Sequence, residues 1–195
     1  MVDQASSDNN VALDLGTWTE CGIPDLMVHV EAARTAGQYL FIWDKTGNID
    51  TFFKYKGFLL DLWFQIIQLE HERVSVDGVT EFLRDGFVKA GRNGHHMLID
   101  LQDKAPDFIN VYTNPAILPI DVAFNWPEWQ KREVYTSVLK QSEDYSADNQ
   151  DCGAHYYLND CFTMQIRSTA PDAQTLQEVV SKIPHINAFK RIIIS

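Results

Sequence analysis

Cysteine is scarce in this chain, and the few present stand apart. Cys21, Cys152 and Cys161 are three in 195 residues, odd in number and scattered. They fit a reducing compartment rather than a disulfide scaffold. The C-x8-C spacing of Cys152 and Cys161 is not that of a usual zinc-ligand pair. Runs of Lys and Arg are also missing. With 16 basic against 27 acidic side chains the net charge is −11, which argues against nucleic acid and against an anionic membrane surface as partners. No window approaches ~18 uninterrupted apolar residues, so no membrane span is expected. The opening MVDQASSDNN has neither the basic flank nor the apolar stretch of a signal peptide. There is no internal repeat and no low-complexity tract. The phosphate-loop pattern G-x-x-x-x-G-K-[ST] is absent as well.

What is present suits one globular domain with its own core. Hydrophobic residues make up 45% and charged residues 22%, an ordinary balance for such a domain. Residues 1–17 read as a flexible lead-in and residues 18–195 as an α/β domain with an irregular insertion around 102–160. The spacing of DLMVHVEAARTAG predicts a helix stopped by Gly37. YLFIW follows as a strand, and Asp50 is placed to cap a helix from TFFKYKG to about Asp61. LWFQIIQLE suits either that helix or a buried strand, and its aromatic and Ile content favours the strand. SVDGVTEFLRDGFVKAG is an amphipathic helix with Val79, Phe82, Leu83, Phe87 and Ala90 on one face and Ser75 or Asp77 at its start. HHMLIDL, CFTMQIRST and FKRIIIS read as strands and DAQTLQEVVSKI as a helix. Five strands alternating with helices predict a parallel sheet covered on both faces. Ligands bind such sheets at the carboxyl ends of the strands. The residues to interrogate are therefore Asp44 to Asn48, Asp100 to Asp103 and Arg167 to Thr169.

The stretch YLFIWDKTGNIDTFF, 39–53, has three readings. In the first, DKTG at the end of an apolar strand resembles the phosphorylation signature of P-type ATPases and, more loosely, the first motif of haloacid-dehalogenase-like phosphatases. Asp44 would then be a nucleophile toward phosphate, with INVYTN as a strand carrying the second motif. That chemistry needs a late acidic pair for magnesium, and the chain offers only LNDCF and loop acids. In the second reading, Asp44, Lys45, Thr46, Gly47 and Asn48 cradle a nucleotide phosphate at a helix N-terminus, and Asp100 positions magnesium with ATP or ADP. Lys45, however, precedes the single Gly instead of following it. In the third, the fold is P-loop-like and the loop is degenerate.

The order of elements carries the third reading further. Trp18 and GIPDLMVHVEAA stand where the fifth AAA+ module of dynein heavy chains has a Trp, a GLP-x-D turn and a short acidic helix. YLFIWDKTGNIDTFF stands at its IDPQ-x-QA strand and aromatic helix. FQIIQLE, EFLRDGFVKAGRNG, MLIDL and APDF follow in the order of its next strand, helix, LLIEN strand and LDP turn. FTMQIRSTAPD, LQEVV and HINAFKRIIIS close the series. Over residues 18–195 the chain resembles that module. It departs at Asp44-Lys45-Thr46, at Pro171-Asp172, and around PIDVAFNWPEWQ, which matches nothing in the family pattern.

The resemblance implies a P-loop NTPase, AAA+-like parallel five-stranded sheet flanked by helices, in strand order 5-1-4-3-2. It implies a non-hydrolytic structural and allosteric ring element of a microtubule motor, whose parent assembly is an ATPase while this module needs no cofactor. Partners would be neighbouring AAA+ modules or other dynein or axonemal subunits, in the cytoplasm, on the cytoskeleton or in the cilium. A divergent dynein, a dynein-derived ciliary protein and a piece of a longer chain all fit. Two alternatives stay open: a phosphoryl-transfer enzyme using Asp44, and a nucleotide-binding protein without turnover in which Gly47 and Lys45 touch phosphate.

Several residues have a quieter reading beside the sharp one. Asp44 and Asp100 could hold magnesium, or cap turns and pair with Lys45, Arg92 or Arg167. His95 and His96 could be ligands, or turn histidines. Ser168 and Thr169 could sense a γ-phosphate, or simply end a strand. Phe52, Phe53, Tyr55, Phe58, Trp63 and Phe64 read mostly as core. The acidic stretch Glu143 to Asp151 reads as a solvated loop.

Overall fold

The computed structural model describes residues 17–144 and 156–195. The expected lead-in, apart from residue 17, lies outside the described residues, as do Cys152 and most of the acidic stretch. The chain builds β1 (Thr19–Cys21), a 3-10 turn (Ile23–Asp25), α1 (Leu26–Thr35), β2 (Leu40–Asp44), α2 (Ile49–Lys56), β3 (Phe58–Asp61), α3 (Leu62–Glu70), α4 (Val76–Asn93) and β4 (His96–Gln102). Three short helices follow, α5 (Ile120–Ala123), α6 (Trp126–Trp129) and α7 (Arg132–Ser137), within the region read as irregular. The chain then forms β5 (Thr163–Ser168), α8 (Ala173–Ser181), a 3-10 turn (Ile186–Ala188) and β6 (Lys190–Ile194).

All strands pair in parallel, in the order β1-β6-β2-β5-β4-β3. The chain is thus α/β with a parallel sheet flanked by helices. The expected order 5-1-4-3-2 is met by β6-β2-β5-β4-β3 with FLLD, not LWFQIIQLE, in the second place, and a sixth strand corrects the expected count. WTECG, read only as the point where order begins, supplies β1 against the outer edge of β6.

Strand periodicity sorts the core into two layers. Tyr39, Phe41 and Trp43 face one side, with Met97, Ile99, Met164 and Ile166, under α3, α4, α8 and the short helices. Leu40 and Ile42 face the other, with Leu98, Ile192 and Ile194, under α1 and α2. Both faces are buried, which is why these strands are near-continuous apolar runs. Helix α4 buries Val79, Leu83, Phe87 and Ala90 completely, as its spacing predicts, and Ser75 caps it by accepting the Gly78 N–H at 3.0 Å.

Other expectations are corrected. LWFQIIQLE is helix α3, not a strand. Gly57 ends α2, the strand is the preceding FLLD, and the Asp61 carboxylate accepts the Phe64 N–H at 3.0 Å. That cap, with Leu62 and Ile66 buried one turn apart, outweighs the β-propensity of the stretch. Asp50 does not cap α2. It lies in the first turn and pairs with Lys54 at 2.8 Å, four residues on. INVYTN is a turn rather than a strand, held by Asp107, which accepts the N–H groups of Ile109 and Asn110. Of the aromatic group only Phe53 is fully buried, while Tyr55 and Phe64 are exposed. Glu143 is not simply solvated. It binds Arg84 through both oxygens at 2.7 and 2.8 Å.

Candidate functional site

The carboxyl ends of β2, β5 and β4 lie side by side. Register places Arg167 on β5 opposite Ile42 on one side and Asp100 on the other. Asp44 is two residues beyond Ile42, so the pleat brings Asp44, Arg167 and Asp100 to the same face, under α1 and α2. All three side chains are sealed from solvent, at 0%, 4% and 3% exposure. Arg167 bridges the two acids. Its Nε donates to Asp44 Oδ2 at 2.9 Å, and its Nη1 donates to both oxygens of Asp100 at 3.0 Å.

Asp44 also organises the turn that follows it. Its Oδ1 accepts the Thr46 N–H at 3.0 Å, the Thr46 hydroxyl at 2.7 Å and the Gly47 N–H at 3.1 Å. Its Oδ2 accepts the Ile49 N–H, the first residue of α2, at 3.3 Å. The turn needs Gly47 in the left-handed region, at φ +73°, where a side chain would be strained. These donors are the kind that cradle a phosphate at a helix N-terminus. Here they converge on a carboxylate of the chain itself.

Asp100 is shaped by a local irregularity. The β4–β5 register shifts between Asp100 and Gln102, and Gln102 sits at φ +48°. Its carbonyl accepts the Ser168 hydroxyl at 3.1 Å and the Thr169 N–H at 2.8 Å, so these two residues close the strand end. Burial pushes the Asp100 carboxyl above the usual carboxylate range, against the pull of Arg167 beside it.

The structure therefore brings Asp44 and Asp100 onto Arg167, holds Thr46 and Gly47 on Asp44, and turns the rest away. Lys45 is exposed, with its ammonium 4.3 Å from the centroid of the Trp43 ring, and Trp43 belongs to the opposite layer. Asn48 is exposed and uses its N–H on the Thr46 hydroxyl. His96 Nδ1 lies 3.1 Å from the Thr163 hydroxyl, and the His95 ring stacks on Phe58. Among the described residues no three or more His, Cys, Asp or Glu side chains group as a metal site.

This arrangement limits the chemistry. A nucleophilic carboxylate needs a free oxygen toward phosphorus, and both Asp44 oxygens are engaged, Oδ1 by Thr46 and Gly47 and Oδ2 by Ile49 and Arg167. A magnesium nucleotide needs the turn N–H groups and a free strand-end acid, and here Asp44 and Arg167 take both. The residues present do not fit ATP or ADP with magnesium. In the sequence Arg167 appears as the first of the strand-end residues 167–169 and as one of several pairing partners for the two acids. Its signal is the one charged residue in a strand, TMQIRS, that is buried throughout.

No family model, curated protein or solved structure matches the chain. Among the described residues no helix is long and apolar enough to cross a membrane.

Proposed function

We propose that this chain is a non-hydrolytic α/β module on the AAA+ plan, a structural element of a larger assembly of the dynein-ring type. One observation carries the proposal. The turn at the end of β2 aims its N–H groups at Asp44, and Arg167 locks that carboxylate to Asp100. A nucleotide-driven module needs those donors for phosphate. The strand order β6-β2-β5-β4-β3 supports the AAA+ plan, and the resemblance over residues 18–195 supports the setting. In that setting the partners are neighbouring modules or axonemal subunits, and the place is the cytoskeleton.

The test is titration of the chain with ATP and with ADP, each with magnesium, by calorimetry and melting temperature. A ligand that binds only the folded state stabilises it by RT ln(1 + [L]/Kd), about 2.7 kcal/mol at ~100 times Kd. The expected result is no heat and no shift at millimolar nucleotide. A clear shift would overturn the proposal in favour of a nucleotide-binding protein. Magnesium-dependent phosphate release lost in Asp44→Asn would overturn it in favour of a phosphoryl-transfer enzyme.

A further inference from the structure

At the other end of the sheet, away from the buried triad, a cavity of about 250 Å³ opens beside the residues that lead into β2 and β6. Its wall is aromatic. Tyr39 comes from just before β2, Phe189 from just before β6, Phe124 from the end of α5 and Trp126 from the start of α6. The Tyr39 ring stands edge-on to those of Trp126 and Phe189, at centroid distances of 5.1 and 5.6 Å. Pro127, also in the wall, is exposed, so the cavity is reached from solvent. Among the described residues no charged side chain lines it. A cavity of ~150 Å³ already holds a benzene ring, so this one has room for a ring with a substituent.

Two polar groups set the cavity apart from plain apolar space. The Tyr39 hydroxyl is buried and has no hydrogen-bond partner among the described residues. A buried donor in that state costs stability and calls for an acceptor. Burial pushes the phenol well above its usual range, so it keeps its proton at neutral pH. Asn125 is the second group. Its carbonyl accepts the Trp129 N–H at 2.9 Å, but its side chain does not cap α6, which leaves the amide at the cavity wall uncommitted to the helix.

We propose that this cavity binds a small neutral aromatic molecule bearing a carbonyl group. The Tyr39 hydroxyl donates to the carbonyl oxygen, and the Trp126 and Phe189 rings hold the aromatic body. Charge decides against two other classes. An anion would find no cation in the wall. A quaternary ammonium suits aromatic walls but would leave the Tyr39 hydroxyl without an acceptor. The site lies apart from Asp44, Arg167 and Asp100, so it goes beyond the reading of the module as nucleotide-free and does not depend on it.

The probes are acetophenone and ethylbenzene, which has the same shape without the oxygen. Each is titrated into the full chain and into Tyr39→Phe, which keeps the ring and removes the hydroxyl. Binding is followed by nitrogen-edited NMR, with the Trp126 indole signal assigned by its loss in Trp126→Phe. Acetophenone should bind the wild type saturably, move the Trp126 indole signal, and bind about 5–10-fold more tightly than ethylbenzene. In Tyr39→Phe that preference should vanish.

A preference that survives in Tyr39→Phe would mean that the hydroxyl is already met, as by a trapped water, and would overturn the proposal. So would equal affinity for the two probes in the wild type, no saturable binding, or shifts centred away from Trp126. Tetramethylammonium binding in place of acetophenone would overturn it in favour of a cation cage. Tyr39→Phe should melt no lower than the wild type, because it deletes an unsatisfied group. A drop of several degrees would show that the hydroxyl has a partner in the folded chain, and the proposal would fall with it.

Discussion

Arg167→Met tests the buried triad directly. The guanidinium neutralises two carboxylates with 0% and 3% exposure. Methionine keeps much of the length and removes the charge. The two acids do not suffer equally. Asp44 keeps the three N–H groups and the hydroxyl of its own turn. Asp100 keeps the Gln102 N–H at 3.3 Å. The loss therefore falls mainly on Asp100, an uncompensated buried charge of the kind that costs about 3–5 kcal/mol. Against a total stability of roughly 5–15 kcal/mol, that is a large fraction. At a urea slope of about 2–3 kcal/mol per molar, the midpoint should fall by roughly 1.5 M, followed by tryptophan fluorescence. Pairing Arg167→Met with Asp100→Leu should restore most of it, because the stranded charge is then gone. The deficit of Arg167→Met should also shrink on acidification. Burial already raises the folded-state value of Asp100, and loss of Arg167 raises it further. The folded state then holds that proton more tightly than the unfolded chain, so stability climbs as pH falls through the raised value. A loss under ~1 kcal/mol, unchanged with pH, would show that water reaches these acids and would refute the reasoning.

Two further outcomes follow from other parts of the fold. In Gly57→Ala the new methyl would meet the His96 carbonyl oxygen and a Phe53 ring carbon, each at 2.6 Å; the expected loss is about 1–3 kcal/mol in urea unfolding, and unchanged stability would mean that the α2–β3 junction yields. On the opposite face, hydrogen bonds from Arg84 hold Glu81 down from its ordinary 4.5 to about 2. Its contribution is therefore present above pH 4.5 and lost as pH falls toward 2. With a third of that side chain in solvent, screening limits it to about 1 kcal/mol, and Glu81→Gln should flatten that part of the acid unfolding curve.

The sequence reveals most of the layers and little of the site. The apolar run from Tyr39 to Trp43 and the helical stripe from Val79 to Ala90 are local patterns, and a strand and a helix emerge there as expected. LWFQIIQLE misleads because its aromatic content is local while its fate is set by Asp61 and Gly57 at its borders. The strand at Thr19–Cys21 is invisible for a different reason. Three residues with no alternation become a strand only because β6 offers an edge. The site needs register, which no local pattern supplies. Asp44 and Arg167 lie 123 residues apart in sequence, and Arg167 and Asp100 lie 67 apart. Asp44 as a turn cap is legible from the polar residues after the strand. That Asp44 and Asp100 take Arg167 over Lys45 and Arg92 as their partner is decided by which strands become neighbours.

The same register bears on how a module of this kind could move. In open α/β sheets the loops after the central strands are the parts that respond to ligand. Here the loops after β2 and β4 are joined through one side chain on the strand between them. Displacing either loop alone must break a buried, hydrogen-bonded ion pair, at a cost near that of Arg167→Met. The few kcal/mol that a ligand at a distant site supplies, typically 1–3, falls short of it. Internal hinging at this sheet end is therefore the expensive route, and displacement of the whole domain is the cheap one.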